Sequence, residues 1–102
     1  MGHKVVFRPS AEADLFALYD YIAQAAGPTI AAGYIARIEE ACLKMQAFPE
    51  RGTRRDDLAP GVRTIGFERR VTIAFRALDD AVEILAIAYA GRDFEAGFTG
   101  DE

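Results

Sequence analysis

RVTIAFRALDDAVEILAIAY, residues 70–89, contains two strands and the turn between them. Its first part, 70–76, alternates apolar with other side chains at the period of two that is typical of a strand. ALDDA, 77–81, has the residues of a hairpin turn. VEILAIAY, 82–89, is apolar on both faces apart from Glu83, which indicates a strand in the interior of a sheet. The stretch therefore predicts an antiparallel pair of strands.

Further strands lie upstream of this pair. VRTIGF, residues 62–67, places Arg63, Ile65 and Phe67 on one face by the same period of two. Short turns link this segment to the next two strands, so the three are predicted to form an antiparallel meander. KVVFR, residues 4–8, is a β-branched and aromatic run that predicts an opening strand.

The intervening sequence predicts two helices, separated at AGP, residues 26–28. Ser10 is the expected N-cap of the first helix, and Asp14 lies in its first turn, where the helix dipole favours acids. The second helix is expected to begin near Pro28 and to end by about residue 48. Gly33 lies inside this helix, where glycine lowers helix stability by about 1 kcal/mol relative to alanine. A close approach of the two helices is one reason for a glycine there.

The element order β-α-α-β-β-β predicts an α+β fold, with a helical hairpin packed on an antiparallel β-sheet. We expect one domain over residues 1–98 and a polar tail at 99–102. No apolar run is long enough to span a membrane, and the N-terminus lacks the apolar stretch of a signal peptide.

Cysteine and histidine are nearly absent from the chain. Cys42 is the single cysteine, which cannot form an internal disulfide and fits a reducing cytosol, and it is expected to be a small buried apolar residue. His3 is the only histidine, so the usual zinc spacings are excluded and neither a metal nor a cofactor is expected.

Charge is distributed unevenly. Residues 51–76 carry seven arginines against three acids, a local charge of +4 in a chain whose net charge is −4. The negative total argues against non-specific nucleic-acid binding, whereas arginines hold carboxylates or phosphates through a planar fork. The candidate partner-binding residues are Arg63, Arg69, Arg70 and Arg76, with Tyr89 and Arg92 where the last strand ends in GRD.

Structural roles are the alternative for the same residues. The arginines are solvated strand-face residues or partners of Asp56, Asp57 and Glu68. Arg92 is a candidate partner of the neighbouring Asp93. Three tyrosines of the predicted helices are expected to pack in the core or between the helices: Tyr19, Tyr21 and Tyr34. Tyr89 either packs or has a surface role.

Three segments carry a resemblance to a known family. They are FRPSAEADLFALYDYIA (7–23), RIEEACLKMQAFPERGTRRDDLAPGVRTIGF (37–67) and VTIAFRALDDAVEILAIAYAGRDFEAGF (71–98). In this order they resemble the ParE branch of the RelE/ParE toxins of bacterial type II toxin–antitoxin systems. The resemblance implies a RelE/ParE-like fold and a small cytoplasmic toxin in a hetero-oligomer with a cognate ParD-like antitoxin. It also implies DNA gyrase as the target, whereas RelE-type relatives cleave mRNA on the ribosome.

The residues themselves disfavour an RNase. Cleavage by 2′-OH attack needs a base, an acid and cations. Many family members have histidine before the glycine of the GRD segment, but here that position is Ala90. The ordinary pKa of tyrosine is about 10, so Tyr89 would need a large pKa shift to act as a base. Glu68 lies beside Arg69, and a neighbouring arginine lowers the pKa of a carboxyl. No catalytic residue is therefore assigned.

Three hypotheses remain open from the sequence. The first is gyrase inhibition by binding, with antitoxin acids on the arginines and antitoxin apolar groups on the helical hairpin. The second is a RelE-like ribosome-dependent endoribonuclease that uses Arg63, Arg76 and Tyr89. The third is a non-toxic protein that only binds antitoxin.

Overall fold

The computed structural model describes residues 4–89, in which two helices cover one face of a mixed five-stranded sheet. His3, Arg92 and the expected tail at 99–102 lie outside the described residues. The elements in chain order are β1 (Lys4–Phe7), α1 (Pro9–Ala26), α2 (Pro28–Leu43), a 3₁₀ turn (Lys44–Gln46), β2 (Thr53–Arg54), β3 (Val62–Phe67), β4 (Val71–Ala77) and β5 (Ala81–Tyr89).

The sheet has the strand order β1-β5-β4-β3-β2. The predicted antiparallel meander of β3, β4 and β5 is confirmed, and β5 lies inside the sheet, as its apolar faces indicate. β1 adds to the outer side of β5 in parallel, with Lys4 opposite Ala81 and Phe7 opposite Ile84. The connection between these parallel strands includes the helical hairpin and the three strands β2, β3 and β4.

A bulge interrupts β5, and α1 is fastened to it. Ala74 pairs with Ala86 but Phe75 pairs with Ile84, so Leu85 is the extra residue on β5. The Ser10 hydroxyl donates to the Leu85 carbonyl at 2.8 Å. The first helical turn therefore fixes the sheet where its regular pairing breaks.

The N-cap assignment of Ser10 was wrong. Helix α1 begins at Pro9, with Arg8 at the N-cap and no side-chain cap. Proline suits the first helical position because it has no N–H to satisfy, and its fixed φ is already helical. Ser10 is thereby moved inside the helix, where its hydroxyl turns to β5 instead of to its own backbone.

The core lies between the helices and the sheet. It contains Leu15, Leu18 and Ile22 of α1, Ile38 and Cys42 of α2, and Ile73, Phe75 and Ile84 of the central strands. Cys42 is fully buried, as expected, and burial raises the pKa of its thiol to about 12.

Helix α2 ends within the expected limit of about residue 48, but the role expected for its glycine is not seen. It ends at Leu43, and the chain continues as the 3₁₀ turn, which buries Met45 against the core. The proposed reason for Gly33 was wrong, because a Cβ added there would meet no atom within 4 Å. Gly33 is exposed and mediates no close contact between the helices.

The polar segment 49–61 is held by local bonds. Asp56 accepts a hydrogen bond from the Gly61 N–H at 2.9 Å and another from Arg54 at 2.9 Å. The Gly61 bond, above all, lowers the pKa of the Asp56 carboxyl. Within the segment, β2 pairs with β3, so part of the expected loop is the fifth strand of the sheet.

Candidate functional site

The candidate arginines do not form one surface. Arg63 lies opposite Phe75 at one end of the β3–β4 hairpin, whereas Arg69 and Arg70 lie in the turn at the other end. A strand advances about 3.3 Å per residue, so the four steps from Arg63 to the end of β3 at Phe67 cover about 13 Å. Neighbours in sequence are therefore split into two sites by the hairpin geometry.

Arg76 is occupied inside the protein. Its guanidinium donates to Glu83 Oε1 at 3.0 Å, and Arg8 lies 3.5 Å from the other carboxylate oxygen. The Glu83 side chain is mostly buried and lies within ion-pair distance of both guanidinium groups. Arg76 thus has a structural role in fastening β4 to β5.

Of the two structural alternatives for the candidate arginines, ion pairing with Asp56, Asp57 or Glu68 is not seen, because these acids form their ion pairs with other arginines. Asp56 pairs with Arg54, Asp57 pairs with Arg55, and Glu68 pairs with Arg37 on α2. Each aspartate pairs with the arginine two residues before it in the chain. Within residues 4–89, no ion pair engages Arg63, Arg69 or Arg70.

Aromatic rings gather beside the Arg69–Arg70 turn. The Tyr34 ring lies 6.0 Å from Phe67 and 6.4 Å from Tyr89, both edge-on, and Tyr89 lies 5.6 Å from Tyr21. Arg37 stacks over Tyr34, with its guanidinium carbon 5.2 Å from the ring centroid. We call these five side chains the aromatic patch.

The patch is only partly a packing cluster. Tyr34 and Tyr89 are half-buried, as the packing interpretation predicted, but Tyr21 is 60% exposed. No hydroxyl of these three tyrosines makes a hydrogen bond within the described chain. Burial and then the Glu68 charge raise the pKa of Tyr34, so its hydroxyl keeps its proton and can donate.

A strained turn presents Arg69 and Arg70 next to the patch. Glu68 and Arg69 have φ values of 49° and 69°, in the left-handed region that non-glycine residues rarely adopt. Arg37 donates to both carboxylate oxygens of Glu68, at 3.1 and 3.2 Å. This paired bond ties the turn to α2, and such strain is common at binding and catalytic sites.

A second surface lies between the two helices. It is a groove of about 460 Å³ lined by Leu15, Phe16, Tyr19 and Ile35, with Glu12 and Glu39 at its edges. Phe16 is 75% exposed, although aromatic side chains of this size usually contribute to cores or interfaces. We call this the acidic groove.

Small or neutral side chains occupy the middle of the sheet face opposite the helices. Alternation places Thr64, Gly66, Thr72, Ala74 and Ala88 there. None of these side chains can serve as a general base at neutral pH. Across residues 4–89, no cluster of three metal-binding side chains occurs, and no helix is long and apolar enough to cross a membrane.

Sequence reasoning named Arg69, Arg70 and Tyr89 as candidates but did not assign the other residues of these two surfaces to a site. Tyr21, Tyr34 and Arg37 join the patch through contacts to β3, β5 and their turn, which no local pattern reveals. The groove had a weak signal, since Phe16 lies one residue beyond the apolar stripe of α1.

One protein family matches most of this chain. Residues 5–94 match the family described as "ParE toxin of type II toxin-antitoxin system, parDE". The chain belongs to this family. The ParE-family assignment agrees with the chain order of strand, helical hairpin and antiparallel strands. Among curated protein sequences, no match is found.

Solved structures similar to this ParE-family toxin include a chain from the chromosomal ParDE toxin–antitoxin system of P. aeruginosa. It is 30% identical, with a TM-score of 0.75 over 86% of this chain and 96% of that one. The RelBE2 toxin–antitoxin complex of Mycobacterium tuberculosis gives 19% identity and a TM-score of 0.62, covering 87% and 99%. A double mutant of E. coli toxin RelE in the free state gives 13% and 0.68, covering 99% and 97%. The last two show the shared fold.

Proposed function

We propose that this ParE-family toxin acts in the cytoplasm by binding and inhibiting DNA gyrase, and that a ParD-like antitoxin neutralises it. The observation that carries a binding mechanism is the middle of the sheet face, where the described residues Thr64, Gly66 and Thr72 supply no general base. Gyrase as the target rests on the family, whose ParE branch is implicated in gyrase poisoning.

The acidic groove is the proposed seat of the antitoxin. Its apolar floor and exposed Phe16 suit an amphipathic segment that inserts apolar side chains between the helices. Glu12 and Glu39 favour lysine or arginine at the edges of that segment. A complex between two chains is supported by the similar ParDE system of P. aeruginosa.

The proposed partner contacts are revised by the geometry. Arg63, Arg69, Arg70 and Tyr89 remain proposed contacts, as does Arg92 outside the described residues. Arg76 is withdrawn, because its guanidinium is bound to Glu83 and is not available to a partner without breaking that bond. Of the described arginines, Arg63 is one proposed contact and the pair Arg69–Arg70 is another, separate one.

A supercoiling assay tests the proposed function. Purified toxin is added to gyrase and relaxed plasmid, first alone and then with the antitoxin encoded beside it. We expect loss of supercoiling, accumulation of cleaved DNA, and recovery on adding antitoxin. Unaffected supercoiling at toxin concentrations that stop growth would move the target elsewhere.

Two further results decide the alternatives. Cleavage of mRNA that depends on translation would establish the RelE-like endoribonuclease instead. Normal growth after induction, together with tight antitoxin binding, would establish a non-toxic antitoxin-binding protein.

A further inference from the structure

The aromatic patch and the neighbouring turn have the composition of a protein-binding hot spot. Tyrosine and arginine are the residue types that dominate such sites, together with tryptophan. Here Tyr21, Tyr34 and Tyr89 support one another through ring contacts, so little conformational entropy is lost when a partner covers them. Their hydroxyls make no hydrogen bond within residues 4–89 and are available to a partner.

The charge next to the rings is positive and not offset. Glu68 is occupied by Arg37 through two hydrogen bonds, which leaves Arg69 and Arg70 exposed without an ion pair in residues 4–89. The guanidinium fork of arginine matches a carboxylate. The complementary ligand is therefore a protein segment with carboxylates beside apolar side chains.

This surface is separate from the acidic groove. Tyr34 and Arg37 point from α2 toward Phe67 and Glu68, whereas Ile35 and Glu39 line the groove against α1. The two surfaces lie on different sides of α2 and have opposite charge. A basic segment that binds the glutamates of the groove would be repelled by Arg69 and Arg70. The two surfaces therefore fit different partners.

We propose that the aromatic patch, together with Arg69 and Arg70, is the surface through which the toxin binds a carboxylate-bearing segment of its target protein. The inference rests on the proposed function in that the toxin acts by binding a target protein. It does not require that the target be gyrase. The antitoxin, in contrast, occupies the acidic groove.

Matched variants test this surface. The double variant Arg69→Glu/Arg70→Glu is compared with Lys44→Glu/Arg51→Glu, which changes the net charge equally at two exposed positions. Tyr21→Ala is compared with Phe48→Ala, since these aromatic side chains are 60% and 64% exposed. Urea unfolding of each variant verifies that the fold is retained.

Growth arrest on induction measures target binding without assuming a target, and calorimetry measures affinity for the antitoxin. We expect Arg69→Glu/Arg70→Glu and Tyr21→Ala to raise the toxin level needed for arrest by about tenfold or more. Their antitoxin affinity should stay within about twofold of wild type, and both controls should behave as wild type.

Three results would overturn the inference. The first is unchanged growth arrest in the patch variants. The second is an equal loss of antitoxin affinity, which would make the patch part of the antitoxin site. The third is wild-type binding to a single-stranded DNA 20-mer that the patch variants lose, which would assign the arginines to phosphates. If the gyrase assay fails but growth arrest still depends on the patch, gyrase is not the target and the assignment of this surface stands.

Discussion

Asp14 on α1 accepts a hydrogen bond from the backbone N–H of Ile87 on β5 at 2.8 Å, across 73 residues of sequence. Ser10, one turn earlier, donates to the Leu85 carbonyl of the same strand. The two side chains bind backbone groups of β5 just beyond Ile84, where the pairing of β5 with β1 ends. Residues typical of helix starts thus hold the helix to the sheet.

Asp14→Ala should lower the free energy of unfolding by about 1–3 kcal/mol, because the Ile87 N–H loses a charged acceptor in a part-buried site. Urea denaturation measures the loss. Asp14→Asn keeps an acceptor oxygen and should lose less. Asp20→Ala, at an exposed position on the same helix, should change stability by no more than about 0.5 kcal/mol. Equal losses at positions 14 and 20 would contradict the assignment.

Gly33→Ala should stabilise the protein by about 0.5–1 kcal/mol, because α2 gains helix propensity and the new methyl meets no atom within 4 Å. Gly52→Ala should destabilise it. The φ of Gly52 is 88°, and a Cβ there would lie 2.5 Å from the Thr64 carbonyl oxygen. Thermal unfolding of the two glycine variants measures whether each raises or lowers the stability. A destabilising Gly33→Ala would show that α2 needs glycine for a reason outside its packing.

Arg69→Gly should stabilise the isolated toxin by about 1 kcal/mol, since glycine adopts the left-handed conformation of this turn without the penalty that arginine carries. Chemical denaturation measures the gain. Arg70→Gly is the matched control, because position 70 is not among the residues with positive φ. If both variants lost stability equally, the strain at Arg69 would not be real.

Cys42 should resist alkylation in the folded protein. Burial raises the pKa of its thiol to about 12, so very little thiolate is present at pH 8, and the side chain is inaccessible. Iodoacetamide labelling followed by mass spectrometry should show no modification in native buffer and complete modification in denaturant. Because Cys42 is the only cysteine, any label reports on this site. Rapid native labelling would place the thiol at the surface.

The 49–61 segment should loosen in acid. The pKa of Asp56 is lowered by the Gly61 N–H and then by Arg54, and that of Asp57 is lowered by Arg55. A carboxyl with a lowered folded pKa stabilises the fold above its unfolded value of about 3.9 and loses that contribution as pH falls through the folded value. The Gly61 amide resonance should therefore titrate below about pH 3.9. Asp56→Asn should remove that titration, and a midpoint at or above 3.9 would contradict the bond.

Local patterns predicted the elements whose partners are close in sequence. The periods of α1 and α2 and the alternation of β3 to β5 are set by residues a few positions apart. The pairing of β1 with β5 depends on contacts between the two ends of the described chain, and no short-range rule contains it. Ser10 shows the same limit, since a cap rule looks only along the helix and missed Leu85.

The arginines show why a cluster in sequence is a weak guide to a site. A hairpin sends neighbours such as Arg63 and Arg69 to opposite ends, and alternation sends Arg76 to the other face. Tyr21 and Tyr89, far apart in sequence, lie 5.6 Å apart. A surface built from several elements becomes visible only when the elements are packed.

The parallel pairing of β1 with β5 also determines when the fold can form during synthesis. A nascent chain must have completed the segment Ala81–Ile84 before Lys4–Phe7 has anything to bind, and the anchors of α1 on Leu85 and Ile87 come later still. Contacts of such long sequence separation form slowly. A translation product that stops before β5 would therefore lack this fold.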